Sequence, residues 1–504
     1  MASGASFART FPLRPHPHLY EINTWAWLEK LSARSGRVVK LADVPDAEWD
    51  SLARMGFDAV WLMGVWRRSE RAGQIELEKA AMPGGAEQYD RALPGWKAED
   101  IIASPYSVAE YAPDPRVGTW ESIDAVREKL HARKMALFLD FVGNHTALDH
   151  RWTREHPEFY VNGTAEDFQR EPGNFCRIDT PRRTFFLALG RDPYFPPWPD
   201  VAQLNHFSPQ MRAAQLADLR EIASHCDGVR CDMAMLHLSD IFDRIWSRFL
   251  RGAAPPRREF WEDAHAAVPG LILLAEAYWG TEQRLLDLGF TYVYDKGLYD
   301  AVRDRNMAEV HARLEAPAAY QKRLARFLEN HDEQRGAAVF GPERRPAVAS
   351  LMGTLPGMRF YHQGELEGAR IYLPITLRIG TDEIDSAATA FFFKLLRITK
   401  DPVFHTGEWN LLHANAEGDD TAGNLAVYEW RSEKAWKVIA VNLAGSASQG
   451  RVHFGERPWT AKEYVFYDEL NDERYVRSVE ELSGMGLFVR REANGVHLFN
   501  VTPA

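Results

Sequence analysis

Cysteine is scarce in this chain. The three present in 504 residues, Cys176, Cys226 and Cys231, are too few for a disulfide scaffold and form no Cys-x-x-Cys pair that would hold a metal. Reduced, structural thiols are the expectation. Long apolar runs are missing as well. Nothing approaches the roughly 18 to 20 residues of a membrane span, and Met1 to Arg14 carries Phe7 and Phe11 without the continuous apolar stretch of a signal peptide. No block of Lys and Arg occurs and the net charge is −11, so neither nucleic acid nor an anionic membrane is expected as a partner. Internal repeats and low-complexity tracts are also lacking. The expectation is a cytoplasmic globular chain, for which 45% hydrophobic and 26% charged residues are ordinary.

What is present is an alternation of strand and helix signals, which favours a parallel sheet with helical crossovers. Strand candidates run over Leu19–Asn23, Phe57–Met63, Met135–Asp140, Gly228–Asp232, Leu271–Glu276, Tyr292–Asp295, Arg326–Asn330 and Met358–Tyr361. Pro45 opens a helix that Gly56 stops. Thr119 caps another, with Ile123, Val126 and Leu130 on its inner stripe, and Ser208-Pro209 start a third. The alternation breaks over 141–205, where Pro193-Tyr194-Phe195-Pro196-Pro197-Trp198-Pro199 cannot lie in a crossover helix. From about residue 400 the helical signals fade, and Asn424–Trp430 and Trp436–Asn442 read as antiparallel strands. The expected fold is an α/β TIM (β/α)8 barrel in two parts, 1–140 and 206–399. A small domain, 141–205, is inserted after strand 3, and an antiparallel β-domain follows at 400–504.

Four apolar strand runs are closed by acids: Asp140, followed by Asn144 and His145; Asp232, with Arg230 two residues earlier; Glu276; and, two residues past its strand candidate, Asp332, preceded by Asn330-His331. Singly, such residues are turn or cap residues, ion pairs or loop residues. In a parallel barrel the C-terminal strand ends converge on one face, so their order describes one shared mouth. Cleaving a glycosidic bond with retention uses two carboxyl groups about 5 to 5.5 Å apart, one as nucleophile and one as acid then base. Arg230 points to the same side as Asp232 and is expected to hold it ionised. Glu276 lies among Leu273, Leu274, Tyr278 and Trp279, where burial and a neighbouring anion raise the pKa of an acid. Asp332 and His331 are suited to gripping sugar hydroxyls.

Taken together, these residues resemble the α-amylase family of TIM-barrel retaining α-glycosidases and transglycosidases. The carrying motifs are Asp140-Phe-Val-Gly-Asn144-His145, Gly228-Val-Arg230-Cys-Asp232, Leu-Ala-Glu276-Ala-Tyr-Trp279 and Phe327-Leu-Glu-Asn330-His331-Asp332, within 19–365. The resemblance implies Asp232 as nucleophile, Glu276 as acid/base and Asp332 as transition-state stabiliser. It implies that Arg230, His145 and His331 line the glycosyl subsite and that Tyr106, in Ser104-Pro105-Tyr106, stacks on the sugar. Asp140, Asn144 and Trp279 complete the substrate-side candidates, Asp140 also as support for its own strand end; Trp198 is a further candidate contact. Three departures stand out. Met235-Leu236 replace a Lys-His pair found after the nucleophile in many relatives, with His237 one place late. Ser107 replaces an Asp after the stacking tyrosine. No acidic cluster completes an oxygen cage around Asn144, so no cofactor or metal is expected, with calcium the alternative. The activity expected is hydrolysis of α-linked glucosides or maltooligosaccharides; the alternatives are glucanotransfer, sucrose, trehalose or sugar-phosphate chemistry, or a non-catalytic carbohydrate-binding relative.

Overall fold

The computed structural model describes residues 11–181, 183–381 and 383–504. Residues 1–10 of the stretch read above for an export signal lie outside the described residues. Eight parallel strands close into one barrel: β1 His18–Asn23, β2 Ala59–Met63, β3 Ala136–Phe141, β4 Gly228–Cys231, β5 Ile272–Ala275, β6 Tyr292–Tyr294, β7 Leu324–Arg326 and β8 Met358–His362. Each pairs with its sequence neighbours, and β1 pairs with β8. β2 and β3 are buried along their whole length, as unbroken apolar runs require when helices cover the outside and side chains fill the inside.

Local signals set the crossovers. The helix Asp46–Met55 stops at Gly56, whose φ of 98° is left-handed backbone that a side chain would strain. The Thr119 hydroxyl accepts from the Ser122 amide, and the helix that follows, Trp120–His131, buries Ile123, Val126 and Leu130. Ser208 caps Pro209–His225 in the same way. The seventh strand departs from its expected span. It ends at Arg326, and Phe327–Asn330 continue as irregular backbone although Phe327 and Leu328 are buried; the apolar run there reflects burial without a ladder.

Between β3 and β4 the chain leaves the barrel and forms a small three-stranded sheet, Asn162–Gly163, Phe175–Asp179 and Thr184–Ala188, over its own apolar cluster. Exit and return are zipped together, His145–Ala147 running antiparallel to Val201–Gln203. After the barrel, six strands form an antiparallel sheet: β9 Glu408–Leu412, β10 Leu425–Arg431, β11 Trp436–Asn442, β12 Glu463–Asp468, β13 Glu473–Ser478 and β14 Val496–Pro503. The alternation in β10 and β11 gives the sheet two apolar faces. Ala426, Tyr428, Trp430, Ile439 and Val441 join the barrel core, while Leu425, Val427, Val438 and Ala440 pack against a second, smaller core. Each large apolar side chain so buried contributes about 1.5 to 3 kcal/mol, and the sheet is held to the barrel chiefly by that face. The three cysteines are free, and no helix among the described residues is long and apolar enough to cross a membrane.

Candidate active site

Asp232 and Glu276 each follow the last residue of a barrel strand and extend its ladder by one bond. The Asp232 amide donates to the Phe141 carbonyl (2.9 Å) and the Glu276 amide to the Cys231 carbonyl (3.1 Å). Side chains at these positions reach the C-terminal mouth. Below them Arg230, in β4, is fully buried. Its Nη1 donates to Asp232 Oδ1 at 2.6 Å, and its Nη2 lies 2.8 Å from Glu276 Oε2 and 3.9 Å from Asp332 Oδ2. The guanidinium also lies over Tyr106, Trp61 and Tyr294, 5.1 to 5.8 Å from the ring centres. A buried cation is costly unless paired. Three carboxylates and three aromatic faces provide that compensation, and the planar fork keeps Asp232 and Glu276 beside each other.

Glu276 Oε2 accepts from the Met233 amide (2.6 Å), and Oε1 accepts from the Tyr278 hydroxyl (2.7 Å). Met233 occupies left-handed backbone, φ 43°, directly after Asp232, a strained conformation for a residue with a side chain. Asp332 sits on the Asn330 turn, where the Asn330 carbonyl oxygen accepts from the amides of Asp332 and Glu333. Its carboxylate lies 3.0 Å from His331 Nε2, and His331 Nδ1 lies 2.5 Å from Glu21 Oε1. Tyr106 stacks on the His331 ring at 5.1 Å, its hydroxyl 2.7 Å from Nε2.

The electrostatics separate the three acids. Burial works to raise Asp332, but the neighbouring His331 outweighs it and holds the carboxyl at about 2. His331 itself stays protonated well above its ordinary range: burial opposes this, and Asp332 and Glu21 overcome it. Burial raises Asp232, against the pull of Arg230 and with a further push from Asp332. Arg230 thus orients Asp232 and favours its ionised form, as expected of it, while desolvation of the fully enclosed carboxyl works in the opposite direction. Glu276 is raised by burial and by the Asp232 anion, again against Arg230.

A cavity of about 880 Å³ opens over these groups. Of the residues expected there, Asp232, Glu276, Asp332, Tyr106, His145, Trp198 and Trp279 line it. Arg230 and His331 lie beneath, holding the acids. Two expected substrate contacts are corrected. Asp140 is 1% exposed and does not line the cavity, with one carboxylate oxygen accepting from Trp61 Nε1 (3.0 Å) and the other from the Gly64 amide (2.7 Å), so its oxygens are engaged inside the barrel wall. Asn144 is equally buried; its Oδ1 accepts from Gln203 Nε2 (3.0 Å) and lies 3.3 Å from His206 Nε2. The side chains around Asn144 (Gln203, His206, Gln215 and His237) carry no carboxylate. That donor set does not match the all-oxygen, largely anionic shell of a calcium ion. Met235, Leu236 and His237 all turn inward and are buried away from the cavity.

Several cavity residues went unforeseen. The Ser107 hydroxyl donates to Asp200, so a carboxylate missing at 107 is supplied from the inserted segment. Phe195 and Tyr194 are exposed at the rim, and Tyr194 packs edge-on to Trp279 at 5.2 Å. Lys296 is the N-terminal residue of a helix after β6; its ammonium lies 2.5 Å from Asp300 and 3.2 Å from Glu333. Eight acids line the cavity (Asp192, Asp200, Asp232, Glu276, Glu282, Asp300, Asp332, Glu333) against two cations, Lys296 and Arg313. Arg313 is itself paired with Glu309 at 2.8 Å. Glu21, beneath the cavity against His331, left a sequence signal as a charge inside a buried strand.

The family model for the α-amylase catalytic domain matches residues 48–187. The chain is 25% identical over 340 residues to α-amylase MalA of Haloarcula japonica, covering 64% of this chain and 40% of that protein. It is 24% identical over 319 residues to trehalose-6-phosphate hydrolase of Escherichia coli, covering 52% and 54% respectively. It thus spans roughly half or less of the length of these curated relatives. Among solved structures, the maltogenic α-amylase AmyB of Thermotoga neapolitana superposes with a TM-score of 0.67 at 18% identity, over 97% of this chain and 99% of that one, which shows the shared fold. With its ordered motifs gathered at the mouth of such a barrel, the chain resembles the α-amylase family of glycoside hydrolases and transglycosidases.

Proposed function

We propose that the protein is a retaining α-glycosidase acting on neutral α-linked glucosides or maltooligosaccharides. The observation that carries this reading is the single Arg230 fork holding Asp232 and Glu276 side by side at the floor of the cavity. Asp232 attacks the anomeric carbon, and Glu276, raised by burial and the Asp232 anion and bonded to the Tyr278 hydroxyl, protonates the leaving oxygen. The glycosyl–Asp232 ester is then opened by water or by a sugar hydroxyl that Glu276 deprotonates. Asp332, anionic beside a protonated His331, suits a pair of hydrogen bonds to ring hydroxyls that tighten as the ring flattens. A general acid so placed contributes about 10² to 10⁴ in rate.

The cavity charge bears on substrate class. Both cations lining it are already paired with carboxylates, and an anionic ligand would face the eight acids. Neutral sugars fit this better than sugar phosphates. The aromatic rim of Tyr194, Phe195 and Trp279 favours a second reading, transfer to a sugar acceptor stacked there. Incubating the protein with maltooligosaccharides, with and without added acceptor, and weighing the products by mass spectrometry tests both. Glucose and shorter chains indicate hydrolysis, and longer chains indicate transfer. Turnover of trehalose 6-phosphate in preference to neutral glucosides would overturn the substrate class, and no turnover of any α-glucoside would overturn the activity.

A further inference from the structure

The inserted segment leaves and re-enters the barrel through one neck, and the neck encloses a cluster of polar side chains with almost no contact with solvent. Asn144, Gln203, His206, Gln215 and His237 are each 2% exposed or less. They come from the end of β3, the return strand, the helix Pro209–His225 and the turn after β4. Asn144 and Gln203 exchange amide hydrogen bonds in both directions, at 3.3 and 3.0 Å, and the Gln203 amide also donates to the Asn144 carbonyl at 3.0 Å. Gln215 donates to the Gly143 carbonyl at 2.5 Å. The His206 and His237 rings pack 4.1 Å apart, and His237 rests between Phe260 and Trp261. His237 Nε2 would lie 2.6 Å from a Cβ at residue 143, so the glycine there lets the ring seat directly on the backbone.

Two residues of the cavity hang from this cluster. His145 follows Asn144, and Asp232 begins the turn that ends at His237. A cation that pinned such a neck would need anionic oxygens, about six to eight ligands in all for calcium. Here the amide oxygen of Asn144 is taken by protein N–H donors, and the buried atoms left without a hydrogen-bond partner are one amide oxygen, Gln215 Oε1, and imidazole nitrogens of His206 and His237, which make no shell of anionic oxygens. Burial keeps both rings neutral, His206 well below its ordinary range and His237 at about 3.

We propose that this amide–imidazole cluster is a metal-free clasp that locks the inserted segment to the barrel and so positions His145 and the Asp232 turn. Asn144, Gln203, His206 and His237 act as positioning residues and do not touch substrate. The closest experiment is calorimetry of the full chain dialysed against EDTA and then supplied with calcium, with metal content measured by mass spectrometry. The expected result is an unchanged Tm and no stoichiometric metal. One bound cation per chain, or a Tm that falls in EDTA and returns with calcium, would overturn the proposal.

The positioning role is read from His206→Leu and His206→Gln, compared well below the Tm. The glutamine variant retains an N–H donor for Asn144, so its KM for a maltooligosaccharide should match the parent. The leucine variant should raise KM by about fivefold, the size of one net hydrogen bond. Equal KM values for the two variants would refute positioning through that bond. This kinetic arm rests on the glycosidase reading, whereas the calorimetric arm stands without it.

Discussion

Asp140 and Asp232 occupy ends of adjacent strands, with Asp140 directly beside Arg230 in the ladder. Both are buried acids closing apolar runs, and burial raises both, Asp140 to about 6. Their oxygens differ. Those of Asp140 are both taken by N–H groups of β2 and its following loop, which makes the residue a rivet between two strands. Asp232 has one oxygen bonded to Arg230 and faces the cavity. Position at a strand end brings an acid to the mouth; the neighbours' hydrogen-bond demands decide whether it stays available.

The largest expected effect comes from exchanging the two roles by mutation. Asp232→Asn should lower kcat by at least about a thousandfold with little loss of Tm. Asp140→Asn should do the reverse. An amide can accept from only one of the two N–H donors, so stability should fall by about 1 to 3 kcal/mol in denaturant unfolding while most of kcat remains. Loss of kcat in Asp140→Asn with unchanged stability would dissolve the distinction. Next, Glu276→Gln should cost about 10² to 10⁴ on a maltoside and much less in the first step on an aryl glucoside, whose leaving group needs no proton. Equal losses on both substrates would remove Glu276 from the acid role.

A pH profile sharpens the comparison further. On the proposed mechanism Asp232 must be ionised to attack, and its carboxyl is raised by burial, so kcat/KM should begin to fall on acidification above the usual carboxylate value of about 3.9. Glu276, also raised, sets the alkaline limb, where loss of its proton removes the acid. Rates that stay flat down to that ordinary value would contradict the burial argument. The smallest effect is expected at the rim. Trp279→Ala should raise KM for long substrates by about 2- to 10-fold, the worth of one ring contact, and leave short aryl glucosides unaffected.

Much of this arrangement was legible in the chain itself. Strand ends at Asp232 and Glu276, the caps at Thr119 and Ser208 and the stop at Gly56 are local signals, and local signals survive folding. β7 slipped because Phe327 and Leu328 are buried without pairing, which periodicity cannot distinguish from a strand. The corrected sites, Asp140 and Asn144, failed for a different reason. Their partners Trp61, Gly64, Gln203 and His206 come from other segments, and no spacing announces them. The same holds for Asp200, which the returning inserted segment carries to the cavity.

The strained backbone at Met233 has a consequence for a single proton. Its amide donates to Glu276 Oε2 and Arg230 Nη2 is ion-paired with the same oxygen, and neither group can accept a hydrogen bond. A proton on this carboxyl therefore has one seat, Oε1, beside a tyrosine hydroxyl that can turn to receive it or to give it back. The awkward dihedral thus sorts the two oxygens of one carboxyl, and on the proposed mechanism the leaving oxygen is served from Oε1.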